Sequence, residues 1–208
     1  MKKTLLVLMI ISFIFQGCAK VFYTPDSRTL ASSQKIVAIA PPKVSIAARK
    51  NVDGNALIEQ QKTESINFQR EMYSWMLKRK MQGSINVELQ DVETTNARLA
   101  QRGVQEPNTM TPIELCNALG VDGIITSNYS LSKPMSEGAA VAVALLVGVW
   151  GATNETVVSL SIHDKSTDKM IFNYDHKLSS SFGSPAGLVD NLMRQASKKM
   201  PYFTSPNY

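Results

Sequence analysis

Residues 111–132 read TPIELCNALGVDGIITSNYSLS, and the fold turns on this stretch. Thr111 and Glu114 are spaced as a capping box, with Pro112 at the first helical position, where a missing N–H leaves no bond unmade. Gly120 closes the helix, since glycine tolerates the left-handed conformation that ends one. Leu115, Cys116 and Leu119 form the inward side. Val121 to Leu131 then reads as a strand. A short helix feeding directly into a strand is a unit of α/β architecture, and the flanking sequence repeats the theme.

Upstream, Lys35-Ile-Val-Ala-Ile-Ala40 is an apolar run stopped by Pro41-Pro42, the pattern of a buried strand. A helix is predicted from Ala56 to about Lys80, with Phe68, Met72, Trp75 and Met76 recurring every three or four residues along one face. Ser84 to Gln90 alternates Ile85, Val87 and Leu89 with polar neighbours and predicts a strand. Asp91 caps a helix to Arg102, with Gly103 just past its end. Downstream, Thr156 to His163 alternates Val158, Leu160 and Ile162 with Ser159, Ser161 and His163. The turn 164–168 then returns the chain into Met170 to His176 as a hairpin. A last helix starts at Ser184-Pro185, turns Leu188, Leu192 and Ala196 inward, and stops at Pro201. The expected fold is one mixed α/β domain over 35–208, with a sheet of four or five strands and about four helices.

The amino terminus carries a different signal. Lys2 and Lys3 precede an apolar run from Leu5 to Phe15 broken only by Ser12. A helix of that length covers roughly 16 Å against a hydrocarbon core of roughly 30 Å, too short to span. The pattern is that of a secretory signal peptide over 1–17. Phe15-Gln16-Gly17-Cys18 resembles the lipobox of bacterial lipoproteins, which implies cleavage before Cys18 and acylation of that cysteine. Several acyl chains anchor a protein stably, where one is marginal. Ala19, in place of the aspartate that marks inner-membrane retention in such proteins, implies the outer membrane, with the periplasmic face as the expected side. Residues 18–34 are polar and aperiodic and read as a lipidated cysteine followed by a tether.

Removing residues 1–17 takes away Lys2 and Lys3 and no acid, so 22 basic and 17 acidic side chains become 20 and 17, and the net charge falls from +5 to +3. So small an excess on an exported chain makes no nucleic-acid footprint. With Cys18 acylated, Cys116 has no partner for a disulfide and reads as a small buried hydrophobe.

ALGVDGIITSNYSLS (118–132) resembles the helix, Gly/Ala-x-Asp turn and strand of periplasmic lipoproteins related to the curli secretion channel. Their cousins are the lipoprotein activators of penicillin-binding proteins and the amino-terminal domain of the Tol translocation protein. TVVSLSIHDKSTDKMIFNYDH (156–176) resembles their following hairpin. The resemblance covers roughly residues 35–203 in element order and departs at Ser127, where a glycine is frequent, and at an apolar insert.

That insert, residues 138–152, reads GAAVAVALLVGVWGA, without a charge. Ala140, Ala144 and Gly148 recur every fourth residue and would make one side of a helix nearly flat. Together with Leu145 and Trp150 they are the candidate membrane or subunit contact. Burial against the chain's own sheet, contact between subunits and insertion into lipid all remain open.

Chemistry is sparse. G-x-S-x-G, H-E-x-x-H and P-loop patterns are absent from the sequence. His163 beside Asp164 and His176 beside Asp175 would approach one another across the hairpin, but without the further ligands a metal requires. Ser179 to Ser181 has no evident base, and Glu88, Asp91 and Glu93 read as strand surface, helix cap and first-turn charge. The sequence therefore predicts no cofactor, no metal and no enzymatic activity. It predicts a lipid-anchored envelope protein working through contacts with other envelope proteins, in assembly or secretion, with a homo-oligomer as one form of that contact. An activator of a cell-wall synthase is the alternative, and a hydrolase of envelope polymers comes third.

Overall fold

The computed structural model describes residues 19–47, 53–132, 154–180 and 185–204. They form a mixed α/β domain built on a seven-stranded sheet. In chain order the elements are β1 (Lys20–Tyr23), α1 (Ser27–Ser33), β2 (Ile36–Ile39), β3 (Lys43–Ile46), α2 (Gly54–Met81), β4 (Glu88–Leu89), α3 (Val92–Gln101), a single 3₁₀ turn (Pro107–Thr109), α4 (Pro112–Leu119), β5 (Gly123–Ser132), β6 (Asn154–Asp164), β7 (Lys169–Ser180) and α5 (Pro185–Ala196). The strands run β1-β7-β6-β5-β2-β4 across the sheet, with β3 also against β5. β5, β6, β7 and β1 pair antiparallel, whereas β2 pairs parallel with both β5 and β4.

Pro41-Pro42 explains why one edge of β5 carries two strands. β2 follows β5 from Val37↔Gly123 to Ile39↔Ile125, and the Ala40 N–H still donates to Ile125. Two consecutive prolines then offer no N–H, so the ladder breaks. It resumes at Lys43↔Asn128 as β3 and runs to Ile46↔Leu131. β2 and β3 are thus one line of backbone with a gap.

One face of the sheet is covered along its length by α2 and α5. Val37, Ile39, Ile125, Tyr129, Leu160, Phe172 and Tyr174 meet Phe68, Met72 and Met76 of α2 and Leu188, Leu192 and Met193 of α5 in one core. Phe68 and Tyr129 pack tilted at 51° with ring centroids 4.6 Å apart, and Trp75 Nε1 donates to Asp190 at 3.0 Å, tying the two helices together. Among the described residues the other face is covered over β2 and the start of β5, where α3 and α4 bury Ala38, Ala40, Ile124, Leu99, Leu115, Cys116 and Leu119. Beyond that, Thr126, Asn128, Ser130, Ser159, Ser161, Asn173 and Asp175 form a polar surface, with Ser161 Oγ donating to Asn173 at 3.0 Å and Asn173 Nδ2 to Asp175 at 3.0 Å.

The fold class and element order agree with the sequence reading, and α4 has the predicted bounds, capping box and left-handed Gly120. Three details differ. The stretch expected as a tether contains β1 and α1: Val21 and Phe22 pair with Tyr174 and Asn173, and Ala31 is buried in the core. Four residues of strand and seven of helix are too short to show a period, so their stability comes from the surfaces they cover. The predicted strand 84–90 is reduced to Glu88–Leu89, with Ile85 bridging to Phe203. With β1, and with β3 resuming past the Pro41-Pro42 stop, the described residues form seven strands where four or five were expected. The expected signal peptide 1–17, Cys18 and the insert 138–152 lie outside the described residues.

Candidate functional site

The candidate site is a groove of about 560 Å³ between the amino-terminal half of α2, the Pro41-Pro42 break and the segment 104–109 after α3. The proline break positions it. Where the ladder stops, Ser65 Oγ of α2 donates to the Pro42 carbonyl at 2.6 Å. Ile58, Ile66, Leu99, Val104 and Pro107 give the walls their apolar character, and Gln61, Asn96, Gln105 and Asn108 add amides. Asn96 is held from behind: it exchanges amide hydrogen bonds of 3.0 and 3.1 Å with the fully buried Gln69, which also donates to the Ile39 carbonyl at 2.8 Å. An amide fixed in this way can offer its remaining valence at a set angle to a ligand, and a peptide is its natural complement. Ile58 is 50% and Ile66 39% exposed, unusual for isoleucine on a helix. Lys43, Lys62 and Glu106 are the charged lining residues, so the site suits a neutral, partly apolar chain.

A second polar cluster lies at the turn end of the sheet and is structural. Asp164, 3% exposed, accepts from Gln34 Nε2 at 2.8 Å, Ser166 Oγ at 2.6 Å, Thr167 Oγ1 at 2.8 Å and the Thr167 N–H at 3.0 Å. Tyr202 donates its hydroxyl to Gln34 Oε1 at 2.5 Å. Burial pushes the Asp164 carboxyl upward, but these hydrogen bonds outweigh it and hold the group below the ordinary carboxylate value. Burial first, then the Asp164 charge, keep the Tyr202 phenol protonated and able to donate. Next to it, Asp122 Oδ2 accepts the Lys35 and Ile36 N–H groups at 2.8 and 3.1 Å. The Gly/Ala-x-Asp turn thus acquires a physical purpose: its carboxylate satisfies the first donors of β2.

The histidines do not meet. His163 stands opposite Met170 and His176 opposite Val158, five residues apart along β6, or roughly 17 Å. His176 is not at a half-exposed strand end either. It shares the buried face with Tyr174 and Val158, is 7% exposed, and has no hydrogen-bond partner for Nδ1 among the described residues. Burial depresses both imidazole pKa values. Among the described residues no group of three His, Cys, Asp or Glu could hold a metal ion, and no helix is long and apolar enough to cross a membrane.

The remaining sequence candidates are scattered. Cys116 is fully buried in the smaller core, and burial pushes its thiol up to about 12. Asp91 caps α3 by accepting the Thr94 N–H at 2.7 Å, Glu93 faces Arg70 at 3.6 Å, and Glu88 pairs with Lys80. Cys18, Ala140, Ala144, Leu145, Gly148 and Trp150 lie outside the described residues. Sequence reasoning missed the groove and the Gln34–Asp164–Tyr202 cluster. The Pro-Pro dipeptide and the two isoleucines at 58 and 66 were the available signals for the first. The second joins residues far apart in the chain and had none.

No family model matches the chain, and no curated protein matches it in sequence. Among solved structures it is similar to the PelC dodecamer from Paraburkholderia phytofirmans, at 8% identity and a TM-score of 0.43 over 91% of this chain and 100% of that one. It is also similar to lipoprotein GNA1162 from Neisseria meningitidis, at 10% identity and a TM-score of 0.42 over 79% and 96%. A third is the LpoB C-terminal domain from Escherichia coli, at 9% identity and a TM-score of 0.33 over 74% and 96%. Likenesses of this size assign neither a family nor a function.

Proposed function

We propose that the chain is a non-enzymatic lipoprotein, anchored through acylated Cys18 to the periplasmic face of the outer membrane, that acts by binding other envelope proteins in assembly or secretion, with a homo-oligomer as one form of that contact. The observation that carries the binding part is the groove at Pro41-Pro42. It offers hydrocarbon, amides positioned by a buried partner, and exposed isoleucines, the composition of a surface that recognises a polypeptide. Separation of His163 from His176 removes the one pairing in the sequence that suggested proton chemistry, and so supports a binding reading over a hydrolase.

The alternative, an activator reaching a cell-wall synthase, loses support from β1. The expected tether of 16 residues would have spanned roughly 22 Å as a coil. With the sheet starting at Lys20, the domain has no such reach.

Photo-crosslinking in the intact envelope from Ile58 and Val104 tests the groove. The expected result is a discrete protein adduct from these positions and none from exposed positions on the opposite side of the sheet. Failure of both to give an adduct in an expressed, folded protein would refute it. The anchor is tested separately: Cys18→Ser should release the protein from membranes with the loss of the acyl mass.

A further inference from the structure

We infer that the end of the sheet formed by the last residues of β5 and β7 and the first of β6 rests in the lipid surface, with its strand ends below the level of the anchor. The inference deepens the proposed function and rests on the lipid anchor at Cys18.

It follows from register. β1 begins at Lys20, which lies opposite Asp175; Asp175 lies opposite Ser159, and Ser159 opposite Asn128. Followed backwards from Tyr23 to Lys20, β1 points along β7 towards Ser180. Cys18 is two residues further on and can lie at most about 7 Å from Lys20. From the Lys20 row, β7 continues five residues to Ser180, β6 five residues to Asn154, and β5 four residues to Ser132. Five residues of antiparallel strand measure about 17 Å, so the strand ends overhang the anchor's furthest reach by about 10 Å. The polar layer of a bilayer leaflet is only about 6 Å thick, half the difference between the full bilayer and its hydrocarbon core. With the strands set along the membrane normal, an anchor in the leaflet therefore carries the strand ends into it.

Charge is distributed to suit. Beyond the Lys20 row, the strands contribute Tyr129 to Ser132, Asn154 to Val158 and His176 to Ser180, in which Glu155 and Lys177 are the only Asp, Glu, Lys or Arg. Val157 is 45% exposed there. The opposite end holds Asp122, Asp164, Lys165, Asp168 and Lys169 around the β6–β7 turn, with Asp26 pairing Lys169 at 3.2 Å. Ends of β5, β6 and β7 with two charged residues against the bilayer, and a turn end with five away from it, are the polarity a lipid surface selects. Ser132 and Asn154, which bound the sequence containing the uncharged run 138–152, belong to the low-charge end.

The test uses the full acylated protein in phosphatidylethanolamine–phosphatidylglycerol vesicles whose lipid tails carry a nitroxide quencher. A fluorescent thiol reagent is placed at Ser130→Cys, Val157→Cys and Lys169→Cys in separate proteins; each site is exposed, and buried Cys116 stays unlabelled. Quenching at 130 and 157 with unchanged emission at 169 is the expected result. If acylation is present by mass and 130 and 157 are no more quenched than 169, the orientation is wrong although the anchor stands. If the acyl mass is absent from membrane-extracted protein, the anchor itself fails and the inference with it.

Discussion

At the turn end of β6 and β7, the buried Asp164 carboxylate receives four hydrogen bonds and the adjoining Gln34 is in turn bonded to Tyr202. At the other end of the same strands, Thr156 Oγ1 and His176 Nδ1 are equally buried and have no partner among the described residues. The two ends share a pleat, a twist and a hydrophobic face, and differ in whether their polar atoms are satisfied. A satisfied network specifies one arrangement, because any departure strands a polar group in a low dielectric. An unsatisfied pair specifies nothing and costs stability, so it can be replaced by carbon without loss. The turn end is where the fold is decided, and the other end is where the molecule tolerates change.

The sharpest way to break this contrast is at Gly123. A Cβ there would stand 2.3 Å from Gln34 Oε1 and 2.7 Å from its Cδ, and the amide cannot yield because Tyr202 and Asp164 both hold it. Gly123→Ala should destabilise the domain by about 3 kcal/mol, through overpacking and the hydrogen bonds lost when Gln34 moves, read from urea unfolding.

Asp164→Asn should cost about 2 kcal/mol, since a neutral amide replaces charge-assisted acceptors. It also changes the acid limb. A carboxyl whose folded pKa lies below its unfolded value of 3.8 contributes stability above that pH and loses it as the pH falls through the folded pKa. Unfolding free energy measured from pH 5 downward should therefore fall less steeply in the variant. Asp122→Ala, which leaves the Lys35 and Ile36 N–H groups without their acceptor, should cost about 1–2 kcal/mol in the same assay.

The smallest effect is expected at the other end. His176→Leu should lie within about 0.5 kcal/mol of the parent at pH 8, because it removes an unpaired polar atom along with the ring. Its signature is the pH slope. A histidine with a depressed folded pKa binds more protons when unfolded, so stability falls as the pH drops below 6.5 until the folded pKa is passed. That slope should shrink in His176→Leu, with His163 supplying the remainder. A loss of several kcal/mol at pH 8 would show that His176 is satisfied after all, and the contrast between the two ends would collapse.

What the sequence disclosed follows from range. The α4 cap, Gly120 and β5 are encoded within 22 consecutive residues, and the structure reproduces them residue by residue. The hairpin was legible from its alternation, but its register was not. A bulge at Ile162/His163 lets Ile171 and Phe172 both turn inward, and from Phe172 the alternation through Tyr174 carries His176 onto the buried face. β1 and α1 were read as a tether because short elements owe their form to distant partners, here β7 and the core. The groove was invisible for the same reason: Pro41-Pro42 announced the end of a strand, while Asn96 and Gln69 acquire their roles only by meeting.

Tyr202 and Gln34 are separated by 168 positions, and Tyr23 donates across 176 positions to the Lys199 carbonyl at 2.5 Å. A polypeptide delivered front end first cannot make either bond until Lys199 and Tyr202 have emerged. Closure of this network therefore waits on residues far along the chain, and a chain stopped before Tyr202 would leave the central amide without its phenol.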